Sequence, residues 1–332
     1  LICKEYKNNY TICLNLISES KEPLQINFFL DDFYFSKYQK DIFINYRNNL
    51  LKIINVTLDK ITRKLDNIDR KISACKDLEK YKTFGELLIA NIYRIDTKKT
   101  ANKFVEVENY YDNNSIIQIP IDNDLTTSQN AEKYYKKYNK LKNTLEIVKI
   151  QKKDSEKELD YLGSLIYELD NANDLDSVNE IYNEISENIL FNDTFKSSKN
   201  NKKENISSIE NYLRLKIDNY TVLVGKNNRQ NDYLTMKVAS DNDYWFHAKE
   251  IHGSHVILRC NGDTPKIETI IKCAQIAAYY SKAKFSSNVP VDYTLRKYVK
   301  KPNGASPGYV IYTNQKTINV EPSSGISISE NN

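Results

Sequence analysis

Tryptophan and methionine occur once each in these 332 residues, histidine three times, and proline is missing altogether from residues 24 to 119. No run of 18 apolar residues exists, which excludes a membrane-spanning helix. The five cysteines (Cys3, Cys13, Cys75, Cys260 and Cys273) are scattered and form no CxxC pair. That pattern argues against a disulfide framework or a four-cysteine zinc site and fits a reducing, cytoplasmic setting. The chain opens on leucine without the charged-then-apolar order of a signal peptide, so it reads as a piece of something longer.

What is present is unevenly spread. Six of the eight glycines lie at or beyond Gly225 and five of the seven prolines at or beyond Pro265, so a helical front precedes a turn-rich back. Residues 213 to 320 carry sixteen Lys and Arg against eight Asp and Glu, a net +8 hidden inside an overall +4. The expected domains are a tail of a preceding domain (1–35), an arm (36–190) with its tip at 85–129, a polar linker (191–210), a compact domain (211–322) and a disordered end (323–332).

The arm shows a heptad seam. Ile54, Leu58, Ile61, Leu65, Ile68, Ile72 and Cys75 alternate spacings of four and three, and a second seam runs from Tyr138 through Leu145 and Val148 to Leu162 and Leu169. Two such helices in one chain pair antiparallel; the first, from Ser36 to Phe84, would be roughly 70 Å long. Between them, FVEVENYYD and SIIQIPID predict a hairpin turning at DNN. The second helix restarts with Thr127 or Ser128 as N-cap and carries Lys133, Lys136 and Lys137 around Tyr134. Those lysines are either a solvated face or a phosphate-contacting patch at the tip.

In the back domain the pattern predicts strands at YTVLVG, DYWFHAK, HVILRC, VPVDYT, GYVIYT and TINV, with helices from Asn231 to Val238 and from Ile267 to Ala283. The fold class is α+β: a long antiparallel coiled-coil arm with a small α/β tip, then a compact mixed α/β domain. All three histidines sit in DYWFHAKEIHGSHVIL, with Trp245 and His247 on one face of a strand. A zinc site wants three or four ligands and only Cys260 is near. Catalysis could use Ser254 with His252 or His255, but no orienting carboxylate or oxyanion motif accompanies them. Packed, hydrogen-bonded histidines are the plain alternative. The reading carried forward is a binding surface on which Trp245 stacks and His247, His252 and His255 donate to phosphate or ribose. Lys226, Asn228, Arg229 and Asn231 lead into a helix, where anions are attracted, and Arg296, Lys300 and Lys301 precede a Pro-Asn-Gly turn.

Those stretches, VGKNNRQNDYLTMKVASDNDYWFHAKEIHGSHVIL and VPVDYTLRKYVKKPNGASPGYVIYTNQKTINVEP, together with GELLIANIYRI, VENYYDNN and NAEKYYKKYNKLK, resemble the NFACT family over nearly the whole chain. The resemblance implies a bacterial ribosome quality-control factor. Such a factor binds the obstructed large ribosomal subunit, recruits alanyl-tRNA and supports an alanine tail on the stalled chain. It also implies RNA contacts at Arg229, Asn231, Asp232, Trp245, His247, His252, Ser254, His255, Lys300 and Lys301, with Asp232 orienting an arginine or capping a helix. No catalytic residue, cofactor or metal is carried over, since the ribosome forms the peptide bond. The family's N-terminal domain has no visible counterpart beyond residues 1 to 35. Some family members bear a fibronectin-binding label, which makes a surface adhesin the second expectation.

Overall fold

In a computed structural model, residues 2–6, 9–13, 26–98, 102–188 and 209–324 are described; the expected linker lies mostly outside them and so does most of the expected C-terminal tail. The chain divides into two compact units, Leu1–Asn48 and Asn49–Asn332. In the first, β1 (Ile2–Tyr6) pairs antiparallel with β2 (Asn9–Cys13), and helix α1 (Ile26–Ala74) begins. Both strands fall within residues 1–35, the stretch expected to be the tail of a preceding domain.

In the second unit the seam of α1 buries Ile54, Ile61, Ile68 and Cys75. Its partner α3 (Thr127–Asn171) buries Val148, Ser155, Leu162 and Leu169. The helices run antiparallel: the Cys75 thiol faces the Leu141 carbonyl (3.7 Å), Asp69 pairs with Lys152 (2.8 Å) and Glu158 with Lys64 (3.5 Å). Each buried Ile or Leu contributes about 1.5–3 kcal/mol, far more than the exposed ion pairs beside it.

The first helix stops earlier than its period suggests. After a turn at Cys75 and Lys76, α2 (Leu78–Ala90) redirects Phe84, Leu87 and Leu88 against β3 (Phe104–Asn109) and β4 (Ser115–Pro120). Helix α3 remains its main partner, with Tyr81 and Phe84 packed on Tyr134, and the hairpin adds a second packing face. At the hairpin turn Asn113 and Asn114 take positive φ (45° and 56°), which asparagine tolerates. Helix α3 is capped one residue earlier than expected, by Thr126, whose side chain accepts from the Gln129 N–H in a reciprocal capping box. A further helix, α4 (Leu175–Glu187), folds back from the end of α3.

The back domain is a six-stranded, wholly antiparallel sheet. Its members are β5 (Leu213–Ile217), β6 (Tyr220–Val224), β7 (Tyr244–Ala248), β8 (Val256–Arg259), β9 (Val289–Leu295) and β12 (Lys316–Val320). The order is β12-β9-β7-β8-β6-β5. Strand β5, LRLKI, alternates apolar with basic residues and escaped the sequence reading. Between β6 and β7 lies α5 (Asn228–Tyr233), which continues into a wider turn over Leu234–Val238. It starts three residues before the expected helix. One face of the sheet packs Phe246, Ala248, Val256 and Leu258 against α6 (Ile267–Tyr279); the other packs Trp245, Leu223 and Ile257 against Leu234 and Val299. GYVIYT does not join this sheet. Only β11 (Ile311–Tyr312) forms, pairing with β10 (Val299–Lys300), because Pro302, Pro307 and a left-handed Gly308 (φ 77°) interrupt the approach.

Candidate nucleic-acid interface

The loop GKNNRQN looks like an anion site, and its anions turn out to be the protein's own. Asn227 caps α5 by accepting from the Gln230 N–H (2.9 Å), and the Lys226 N–H donates to Gln230 Oε1 (3.0 Å). The Asn228 N–H at the start of the helix then donates to Glu168 Oε1 of α3 (2.6 Å). The Asn228 side chain donates to Ser164 Oγ (2.9 Å) and Glu184 Oε1 (3.2 Å). Gln230 donates to Glu180 (3.0 Å), as does Asn227, and Arg229 pairs with Glu187. Glu180, Glu184 and Glu187 recur at four and three along α4, an acidic face legible in the sequence but passed over.

This junction sets unusual protonation. Burial raises the carboxyl of Glu184 to about 7, and burial together with the neighbouring Glu184 raises Glu168 well above its ordinary range. The Tyr161 hydroxyl donates to Glu184 Oε1 (2.8 Å) and is itself pushed up by burial. A carboxylate pair of this kind is held by amides rather than by a full complement of cations.

Of the three histidines His255 is buried, while His247 and His252 are half-buried. Trp245 is fully buried and its ring lies 5.7 Å from His247, nearly parallel, and 5.1 Å from His255; the two imidazoles are 5.4 Å apart across β7 and β8. The expected closeness of the two histidines is seen, but burial leaves Trp245 no face for a base. Asn231 Oδ1 accepts from the His255 N–H (2.9 Å), and Thr235 Oγ1 meets His255 Nδ1 (2.8 Å). Burial lowers His247 to about 4 and His255 well below its usual range, so both imidazoles are neutral at pH 7. His252 is partly exposed, also lowered by burial, and 3.6 Å from Asp160 of α3. Ser254 is buried and its N–H donates to the Tyr280 carbonyl (2.8 Å). No group of three or more His, Cys, Asp or Glu among the described residues is placed to hold a metal ion.

The remaining residues sort by exposure. Arg296 donates to the Thr235 carbonyl (2.8 Å) and pairs with Asp241 (3.0 Å), tying down the end of α5, while Lys301 pairs with Asp232. Lys226 and Lys300 are exposed. At the tip Lys133 pairs with Asp122 (3.1 Å) and Lys136 with Glu132 (2.7 Å), and Lys137 lies over the Tyr81 ring (3.9 Å). Tyr134 donates to the Pro120 carbonyl and packs on Phe84, so it supports the tip while the three lysines stay exposed. Between α3 and the back sheet lies a cleft of about 820 Å³, reached by Asp160, His247, His252 and the loop from Pro302 to Val310. The segment YYSKAKF, residues 279 to 285, interleaves aromatics and lysines but was given no role in the sequence reading.

A two-helix arm with a lysine-bearing tip is joined by a hydrogen-bonded junction to a basic antiparallel sheet domain, an arrangement suited to an extended anionic partner. Family comparison agrees: NFACT N-terminal and middle domains match residues 1–205, and the NFACT protein RNA binding domain matches residues 211–314. The chain belongs to the NFACT family. The first match takes in the arm together with the residues before it. Among relatives, the Rqc2 homolog RqcH of Bacillus subtilis (strain 168) is 38% identical over 93% of this chain and 53% of its own length. The protein of the same name from Streptococcus suis (strain 05ZYH33) is 36% identical over 88% and 51%. The chain thus spans about half the length of these curated relatives. A solved structure, the C-terminal of the fibronectin/fibrinogen-binding protein from Streptococcus suis, superposes with a TM-score of 0.60 at 28% identity, covering 85% of this chain and 96% of that one. No helix among the described residues is long and apolar enough to cross a membrane.

Proposed function

We propose that this chain works in ribosome quality control in the cytoplasm, binding the obstructed large ribosomal subunit and tRNA and supporting C-terminal alanine tailing of stalled nascent chains. The observation that carries the reading is the union, in one chain similar to RqcH proteins, of an RNA-binding domain with an arm that ends in exposed Lys133, Lys136 and Lys137. The chain acts by binding; peptide-bond formation belongs to the ribosome. Contacts to phosphate fall to the exposed Lys226 and Lys300 and to the tip lysines, with His252 at the edge of the cleft. Buried Trp245, His255, Asn228 and Asn231 hold those surfaces in place.

Co-sedimentation with purified large ribosomal subunits across a salt series tests this. Pelleting should weaken steeply with salt, and Lys133→Glu with Lys136→Glu and Lys137→Glu should reduce it and flatten the salt slope by roughly one unit per lost phosphate contact. Absence of pelleting at every salt would sink the reading. The description of the Streptococcus suis structure supports a second one, a fibronectin-binding surface protein, and immobilised fibronectin in the same series, after nuclease treatment, decides between them.

A further inference from the structure

The turn that closes α6 presents an aromatic ring to solvent from a stiff frame. Phe285 is 96% exposed, although Ala283, two residues earlier, is anchored in the core. Lys284 Nζ lies 4.1 Å from the centroid of the Tyr279 ring and 5.7 Å from that of Phe285, and Lys282 is exposed beside them. No acidic residue occurs between Glu268 and Asp292.

The frame is supplied by the HGSH motif. The Ser254 N–H donates to the Tyr280 carbonyl (2.8 Å), the Lys282 N–H donates to the His252 carbonyl (2.9 Å), and Gly253 bridges to Ser281. Ser281 Oγ donates to the Ala278 carbonyl (2.8 Å) and accepts from the Ala283 N–H (3.1 Å). A Cβ on Gly253 would come within 2.8 Å of the Ser281 Cβ, so only glycine lets the two turns meet this closely. A lone exposed ring needs no explanation. A ring held on a doubly hydrogen-bonded turn, flanked by lysines and free of carboxylates in its own segment, has the composition of a base-stacking platform. Bases within a duplex are already stacked, so the class of ligand is an unpaired one.

We propose that residues 279 to 285 form a stacking site for an unpaired RNA base, with Phe285 offering its face and Lys282 and Lys284 meeting the adjoining phosphates. This rests on the RNA-binding reading above and adds to it the strandedness of the ligand. The histidine motif then serves the platform by positioning it.

The test uses the full chain with fluorescein-labelled oligoadenylate of about twelve nucleotides and an RNA duplex of the same length. Phe285→Ala should weaken the single-strand complex at least about five-fold and leave the duplex complex and the salt slope unchanged. Phe285→Trp should retain affinity, and its added fluorescence, read against the chain's one native tryptophan, should be quenched on binding. Equal affinity of Phe285→Ala and the unaltered chain for oligoadenylate would overturn the proposal, as would equal losses on single strand and duplex. If the unaltered chain binds neither RNA, the RNA-binding reading itself fails, a result distinct from either of those.

Discussion

The tip of the arm and the front of α5 begin from similar material, a polar, cation-bearing stretch leading into a helix, and end with opposite uses. At the tip, Lys133, Lys136 and Lys137 stay outside because the helix behind them buries Ala131 and turns Tyr134 inward instead. At α5, Asn227, Asn228 and Gln230 turn inward because α3 and α4 bring Glu168, Glu180 and Glu184 to meet them. Composition announces a capacity to bind anions; the neighbouring helices decide whose anions are bound. The difference can be pressed experimentally.

The strongest effect should come from Asn228→Ala, which strips the Glu184 carboxyl and the Ser164 hydroxyl of a buried donor while keeping the backbone N–H that meets Glu168. Chemical denaturation is expected to show a loss of about 2–4 kcal/mol, and a loss below about 0.5 kcal/mol would mean that the junction is not a stabilising contact. Next comes pH. Because the Glu184 carboxyl is raised from its ordinary 4.5 to about 7 in the folded chain, its contribution is fully present below 4.5 and disappears as pH rises through about 7. Glu184→Gln should therefore match the unaltered chain near pH 4.5 and exceed it by up to roughly 3 kcal/mol at pH 8. A constant difference across that window would refute the raised carboxyl. His247, lowered to about 4, acts in the opposite sense: its contribution is present above 6.5 and lost as pH falls through about 4. Comparing the variant with the parent at each pH removes that background. Gly253→Ala comes third, at about 1–2 kcal/mol by thermal melting, since its methyl would have to displace Ser281. Smallest in stability is the triple tip change to glutamate, within about 1 kcal/mol, because its ion pairs are exposed. Its large effect should be on ribosome pelleting alone. A tip variant that melts early would erase the contrast between the two regions.

Elements whose periods are set by burial were legible in advance. The heptad seams, the DNN hairpin, the alternation that puts Trp245 with His247 and the helix after Ile267 all follow from one apolar face meeting one partner. What escaped depends on partners remote in sequence. The helix breaks after Ala74 where a hairpin some thirty residues on adds a second packing face beside α3. GYVIYT has the composition of a sheet strand, yet the Pro302 to Gly308 loop steers it to β10. Independent melting of arm and back domain, the natural expectation across a polar linker, does not follow once Glu168 and Glu184 are seen hydrogen-bonded to Asn228 across the junction. Among the candidate contacts, sequence could identify which residues carry the right chemistry. It could not tell that Arg296 ties down a turn, or that Phe285 stands clear of the core.

The sheet order itself has a consequence for behaviour in a crowded solution. As far as the described residues go, the sheet ends on β5 and β12, each with one side of its backbone unpaired. On β5, Arg214 and Lys216 interrupt the apolar residues, and β12 opens on Lys316. A second copy aligning its own edge there would bring like charges together along strands only five residues long. Both borders thus discourage self-templated fibre growth, which matters for a domain rich in β-branched residues.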